Sequence, residues 1–402
     1  MRLPLQRGPH GGLPGGGRPP AAAGPPPDGL RDWDLPGHAE GGPGPAGDPL
    51  LRGVPAAGGS PVRRGAGPPP GGAAGGGGPV TGSPLTVCLA QPIHPDGVAL
   101  LTRAATVRYA AAHDEAALAA ALAEADGLIL RVKGRVTESL LARTPRLKVI
   151  ARHGVGVDNV DVAAATRRRI PVCVTLGANT DAVAEHVFLL MLAVCKRLVA
   201  VNAAVRQGAW EALRGVVYGG LKARTLGIVG MGRIGMRVAE LAAAFGMRRL
   251  GYDPALPPEE IRRRGAEPVE FPALLREADI VTLHTPLTPE TRHLMNRETL
   301  GLMKQGAILV NTSRGGVIDD AALAEALRSG RLAGAGIDVT EPEPPSRDNP
   351  LLPLDQVVIT PHIAAHTEDS MRRMAVTAAE QVLMALEGRR PTMAINPEIW
   401  DT

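Results

Sequence analysis

Arg314, Glu343 and His362 follow one another through the last third of this 402-residue chain, each just past a short apolar run. Arg314 lies in Asn-Thr-Ser-Arg-Gly-Gly-Val-Ile-Asp at 311–319, after Ala-Ile-Leu-Val at 307–310. Glu343 lies in Gly-Ile-Asp-Val-Thr-Glu-Pro-Glu-Pro-Pro and His362 in Val-Ile-Thr-Pro-His-Ile-Ala-Ala-His. Upstream, Thr225-Leu-Gly-Ile-Val-Gly-Met-Gly-Arg-Ile-Gly235 sets Gly230, Gly232 and Gly235 between an apolar β-run and a helix pattern. That arrangement suits a dinucleotide: Gly230 permits a tight turn, Gly232 lets a pyrophosphate near the backbone, and Gly235 brings helix and strand together. Asp253, in Gly-Tyr-Asp at the end of the next strand, is placed to accept from the adenosine ribose hydroxyls. Its charge would repel a 2′-phosphate, which favours NAD(H) over NADP(H). Singly, Arg314, Glu343 and His362 read as loop or turn residues. Jointly they supply what hydride transfer to a 2-oxo acid needs: a cation for the carboxylate, an acid for the carbonyl oxygen, and an anion to keep that acid charged.

Strands alternating with helices must position these groups. A first series reads as Leu85–Leu89, Gly127–Val132, Arg146–Ala151 and Val172–Val174, with an alanine-rich helix at Glu115–Ala125. A long apolar helix then starts at the N-cap candidates Asn179 and Thr180 and runs to Lys196-Arg197. Six further strands near 225–229, 249–252, 279–283, 307–310, 334–338 and 356–360, with helices between them, make a complete doubly wound sheet, whose edge would bring the three ionisable groups together. A last helix, Glu368–Leu386, carries Met371, Met374, Val376, Ala378, Val382 and Leu386 on one stripe and is expected to return to the first series. The expected organisation is therefore a discontinuous substrate-binding domain at 85–180 and 366–402, flanking an NAD-binding domain at 181–365.

Residues 1–84 carry half of the chain's Gly and Pro and almost no periodic apolar pattern, so a disordered extension is expected there. Met191 is the first methionine after Met1, and the same composition fits a mis-assigned start upstream of a true one near Val80. No signal-peptide h-region and no bilayer-length apolar run is present, and a cytoplasmic protein without a membrane partner is expected. The net charge is +4, but the arginines are scattered and aromatics make up only 2%, which argues against a nucleic-acid partner. Cys88, Cys173 and Cys195 are too dispersed for a disulfide framework or a zinc site, and no metal is expected.

Residues 85–402 resemble the D-isomer-specific 2-hydroxyacid dehydrogenase family. The motifs that carry the likeness are Gly-Met-Gly-Arg-Ile-Gly at 230–235, Leu-His-Thr-Pro-Leu-Thr at 283–288, 311–319, Ile-Asp-Val at 337–339 with Glu-Pro at 343–344, and Thr-Pro-His at 360–362. The resemblance implies a Rossmann-type NAD domain and a smaller flavodoxin-like substrate domain. It implies catalytic roles for Arg314, Glu343 and His362, and pyrophosphate contacts from the Arg233 and Ile234 backbone. It also implies adenosine-side contacts at Thr285 and Pro286, nicotinamide-side contacts at Thr312 and Asp338, the latter through the carboxamide, and a cofactor contact at Ser313. His284 reads as packing. In Arg152-His-Gly-Val-Gly-Val-Asp the Val155 and Gly156 backbone would meet the substrate carboxylate, and Asn179 marks the domain junction as either ligand or plain cap. Arg131 and Arg152 resemble phosphate-facing arginines of 3-phosphoglycerate dehydrogenases. The Pro-His-Ile-Ala-Ala-His-Thr form is similar to glyoxylate/hydroxypyruvate reductases. Both substrate classes stay open, as do a phosphite dehydrogenase and an NADH-binding corepressor on the same fold. The family resemblance also implies a homodimer around the helix at 181–198.

Overall fold

The computed structural model describes residues 85–401, so the extension expected over 1–84 lies outside the described residues. Two all-parallel sheets follow one another along the chain. The first contains β1 (Thr86–Leu89), β2 (Thr106–Tyr109), β3 (Gly127–Leu130), β4 (Val149–Arg152) and β5 (Val172–Cys173), ordered β2-β1-β3-β4-β5. This is the flavodoxin-like arrangement, with its switch point between β1 and β3. The strands β1, β3 and β4 are buried along their whole length, which is why they read as unbroken apolar runs. β2, Thr-Val-Arg-Tyr, is a largely exposed edge with no such run, and the sequence reading places no strand there.

The second sheet contains β6 (Thr225–Val229), β7 (Arg248–Tyr252), β8 (Glu267–Pro268), β9 (Ile280–Leu283), β10 (Ala307–Asn311), β11 (Leu332–Ile337) and β12 (Val357–Ile359). Their order is β12-β11-β10-β9-β6-β7-β8, the Rossmann order extended by one strand at the β12 edge. Seven strands replace the six expected, because β8 is a two-residue edge strand with no periodic signature. The helix Thr180–Cys195 lies across β10, β11 and β12 and packs on the helix Arg233–Ala244. Its Ala184, Val187, Leu190, Met191 and Val194 join Ile228, Val238, Ala242, Ile308 and Val310 in one buried cluster. Among the described residues no single helix is long and apolar enough to cross a membrane.

The helix Glu368–Leu386 begins at Thr367, whose hydroxyl accepts from the Ser370 amide (3.2 Å), with Glu368 and Asp369 in its first turn. It packs on β3, β4 and the helix Pro95–Leu101 of the first lobe. Ala375, Ala378, Ala379 and Val382 share a core there with Val87, Leu89, Ile129, Val149 and Ala151. The tail then covers the β5 edge. The Ile395 amide donates to the Val172 carbonyl (2.9 Å), and buried Asn396 accepts from the Val172 amide (2.9 Å) while donating to the Ile170 carbonyl (3.0 Å). An otherwise open strand edge is closed by this pairing.

Candidate active site

β10, β11 and β12 are neighbours, so the segments leaving their carboxyl ends meet on one side of the sheet. His362 Nδ1 lies 2.8 Å from Glu343 Oε2, and Glu343 Oε1 accepts from the Thr340 amide (3.3 Å). The two side chains are 36% and 31% exposed, which leaves the other ring nitrogen, Nε2, within reach of a ligand. His362 adopts φ +56°, a left-handed conformation that a side chain other than glycine takes only under constraint. The constraint comes from Asp338. Its carbonyl accepts from the His362 amide (2.8 Å), and its carboxylate accepts from the amides of Ile363 and Ala364 (both 2.9 Å). The Thr360 hydroxyl also donates to that carboxylate (2.5 Å). His186, from the long helix, brings Nε2 to 2.9 Å from Thr360 Oγ1 and 3.4 Å from Asp338 Oδ1.

Asp338, expected to border the nicotinamide, also holds the loop that carries His362. Its side chain has no exposed surface, and its oxygens are taken up by the backbone that carries His362. Burial alone would raise its pKa, but His186, Thr360 and the two amides together hold it below the usual carboxylate range. Asp338 thus positions the histidine loop.

Arg314 leaves β10 through a turn built by buried Asn311. The Asn311 Oδ1 accepts from the amide and hydroxyl of Ser313 (2.9 and 2.7 Å), and its Nδ2 donates to the Arg314 carbonyl (2.8 Å). The Ser313 hydroxyl, expected at the cofactor, is spent as a donor inside this turn. The Arg314 side chain crosses to the first lobe, where Nε donates to Asp158 Oδ2 (2.7 Å); NH1 donates to the Ser313 carbonyl (2.7 Å). Its guanidinium lies directly over Gly156, where a Cβ would come within 1.4 Å of NH2, so a side chain at 156 would displace it. The amides of Val155 and Gly156 donate to no acceptor among the described residues. Those free amides and the Arg314 guanidinium form a ready anion seat where the carboxyl edges of the two sheets meet.

Arg152, expected to face a substrate phosphate, is buried and donates from Nε to the Gly156 carbonyl (2.7 Å) and from NH1 to the carbonyls of Leu130 (2.9 Å) and Arg131 (2.5 Å). It braces the turn that carries Val155 and Gly156. Burial lowers its pKa to about 10, with Arg314 and Arg131 adding repulsion and Asp158 opposing them. Arg131 gives NH1 to the Pro92 carbonyl (2.8 Å), and burial lowers its pKa too. His366 stays neutral more readily than usual, through burial and then the charges of Arg131 and His362. Arg314, Arg152, Arg131, His366 and His362 therefore share one electrostatic neighbourhood. Asn179 occupies the N-cap position of the long helix, yet its side chain caps no amide and makes no hydrogen bond among the described residues. Its carboxamide is unspent.

The glycine loop lies at the β6 carboxyl end and opens the helix Arg233–Ala244. Gly235 touches the Gly230 carbonyl so closely that a Cβ would sit 2.1 Å from its oxygen, whereas a Cβ at Gly232 would meet nothing within 4 Å. The amides of Arg233, Ile234 and Gly235 find no backbone acceptor; that of Met236 is the first to do so, on Gly232 (2.9 Å). Asp253 accepts from the Met231 amide (2.9 Å) and the Ala255 amide (3.0 Å), so it fixes the loop while keeping lone pairs for further donors. Beyond β9 and β10, the hydroxyls of Thr285 and Thr312 are buried without a partner, with exposed Pro286 next to the former. Orphaned hydroxyls, free helix amides and the open face at Gly232 fit a dinucleotide laid along this edge. His284 is held neutral, its pKa pushed to about 3 by burial, with Nε2 3.0 Å from Thr282 Oγ1.

Sequence reasoning missed Asp158, Asn311, His186 and Thr360. Asn311 and Thr360 stand inside quoted motifs, and Asp158 inside the Gly-Val-Gly-Val-Asp turn, but spacing does not reveal what they touch. His186 lies in an apolar helix, where a lone histidine reads as core.

Residues 188–364 match the family model described as the NAD binding domain of D-isomer specific 2-hydroxyacid dehydrogenases. Over 314 residues the chain is 41% identical to a D-3-phosphoglycerate dehydrogenase of Methanocaldococcus jannaschii, covering 77% of this chain and 59% of that longer protein. Over 283 residues it is 43% identical to a glyoxylate reductase of Thermococcus litoralis, covering 69% of this chain and 85% of that one. A crystal structure of a D-lactate dehydrogenase from Aquifex aeolicus, complexed with NAD and lactic acid, aligns with a TM-score of 0.68 at 32% identity. That alignment covers 75% of this chain and 96% of the other. Fold, strand-end geometry and sequence agree: the chain belongs to the D-isomer specific 2-hydroxyacid dehydrogenase family.

Proposed function

We propose that this protein is an NAD-dependent oxidoreductase that interconverts a D-2-hydroxy acid and its 2-oxo acid. The observation that carries the reading is the Glu343–His362 pair at 2.8 Å, standing beside the strand end that carries Arg314. The amides of Arg233 and Ile234, the carboxylate of Asp253 and the hydroxyls of Thr285 and Thr312 would hold the nucleotide. When bound, NADH supplies the hydride for the carbonyl carbon. His362 Nε2 gives the carbonyl oxygen its proton, and Glu343 on Nδ1 fixes the ring's orientation. Arg314 and the Val155 and Gly156 amides bind the substrate carboxylate, and Arg314 also polarises the carbonyl. Asn179 contributes its free carboxamide at the junction of the lobes. In the oxidising direction His362 takes the proton back.

The substrate we favour is a small 2-oxo acid of the glyoxylate or hydroxypyruvate kind. Arg152 is buried with its Nε and NH1 donors on backbone carbonyls, which leaves Arg131 as the one arginine of the expected pair with most of its donors uncommitted. Arg131 favours a second reading, 3-phosphohydroxypyruvate, and the relatives' names include both activities. The test is NADH oxidation with glyoxylate, hydroxypyruvate, pyruvate and 3-phosphohydroxypyruvate. The expected result is a kcat/KM at least about tenfold higher for one of the first two than for the phosphorylated acid, a margin of one charge-assisted contact. The reverse order selects the second reading. NADH binding without turnover of any 2-oxo acid would defeat the enzymatic proposal.

We further infer a homodimer. Leu189, Leu198, Val199, Trp210 and Val217 are 51%, 51%, 61%, 60% and 95% exposed along the long helix, the short helices Leu198–Arg206 and Trp210–Arg214, and the loop after them. A second copy is the occupant that would cover so much apolar surface. Light scattering should give twice the chain mass, and Leu189→Glu with Trp210→Glu should halve it. A monomeric parent protein would remove the inference. The three cysteines are free and buried, and burial pushes Cys88 and Cys173 to about 11 and about 12, which suits the reducing cytoplasm we propose as its setting.

A further inference from the structure

The contact between Arg314 and Asp158 joins the two lobes at the anion seat, and no role in the mechanism so far requires the aspartate. A guanidinium has five N–H donors in a rigid fork. The Nε donor goes to Asp158 Oδ2 (2.7 Å) and one NH1 donor to the Ser313 carbonyl (2.7 Å). The remaining NH1 donor and both NH2 donors meet no protein acceptor among the described residues. They face the backbone at Gly156, beside the free amides of Val155 and Gly156. Nε is thus held from the other lobe, while NH2 and one NH1 hydrogen stay open for a ligand.

We propose that Asp158 is a positioning residue for this enzyme's substrate. Reaching from the opposite lobe, it fixes Arg314 so that the NH1/NH2 edge, and not the Nε edge, meets the substrate carboxylate and carbonyl. The proposal rests on the 2-oxo acid reading given above. Charge supports it as well as geometry. Arg314 lies close enough to buried Arg152 for the two to repel, and Asp158 opposes that repulsion. Without the aspartate, Arg314, already 28% exposed, swings toward solvent and leaves the seat. The change Asp158→Asn would keep an acceptor for Nε but lose the charge, so it restores part of the effect.

The opposite role would be a plug, in which Asp158 holds a donor that the substrate must win back. The two roles predict opposite signs. Steady-state kinetics with glyoxylate and hydroxypyruvate should show Asp158→Ala lowering kcat/KM by about 10- to 100-fold, mainly through KM, the size expected for one charge-assisted hydrogen bond. Asp158→Asn should recover part of that loss, and NADH affinity, read by nucleotide fluorescence, should stay unchanged. In an Arg314→Met background the Asp158→Ala change should have less than about a twofold further effect, because the cation through which it acts is gone. An equal or higher kcat/KM for Asp158→Ala overturns the proposal, and so does the same loss in both backgrounds. Oxalate binding to the NADH-loaded protein needs no turnover, and there Asp158→Ala should weaken it similarly. If the parent protein binds oxalate but reduces no 2-oxo acid, the functional reading fails while the role of Asp158 is still decided by that binding.

Discussion

His362→Asn lowers kcat for 2-oxo acid reduction by about 10²–10⁴-fold, the range that a general acid contributes, while NADH still binds. Asparagine is the informative replacement because it tolerates left-handed backbone better than most residues, and His362 has φ +56°. A larger or β-branched side chain would disturb the loop and confuse strain with chemistry. The bonds from the amides of residues 362, 363 and 364 to Asp338 do not involve the histidine ring, so the loop keeps its shape. Rapid mixing should therefore show normal NADH capture followed by a slow chemical step. Turnover within about tenfold of the parent would mean that the proton comes from elsewhere, and that Glu343 and His362 form only an ordinary surface pair.

Arg314→Lys lowers kcat/KM by about 10²–10³-fold, the cost of losing one preorganised donor to developing oxyanion charge. The substitution keeps the charge and removes the fork. A lysine has one ammonium to divide among Asp158, the Ser313 carbonyl and the substrate, all of which the guanidinium meets from different nitrogens. The loss should fall on both KM and kcat, because carboxylate binding and carbonyl polarisation use the same group. Substrate saturation curves at fixed NADH resolve the two components. A lysine variant that matches the parent in kcat/KM would show that position 314 serves only as a counterion.

Much of this site was legible because strand-end position is encoded locally. The run before Arg314 is a buried parallel strand and that before His362 a half-buried edge strand, and both read as apolar blocks. The glycine loop is equally local, since Gly230 and Gly235 touch each other within one turn. What stayed hidden depends on direction or on distant partners. Arg152 was correctly placed at a strand end, but the path of the 153–156 turn decides that its donors face backbone carbonyls. Asp338 carries the same motif letters whether its carboxylate meets a ligand or the next loop. The contact of Asp158 with Arg314 spans 156 positions and leaves no periodic trace. β2 escaped notice because an exposed edge strand has no need of an apolar block.

The seating of Ala375, Ala378 and Val382 against Val87, Ile129 and Val149 has a temporal side. A ribosome finishes all five strands of the first sheet some two hundred residues before it makes the helix that covers one of their faces. The nucleotide-binding lobe, whose strands and helices are contiguous from 225 to 359, is complete earlier and is free to form first. During synthesis the lobe nearest the amino terminus is therefore the last to close, with β1, β3 and β4 waiting bare-faced for the final stretch of message.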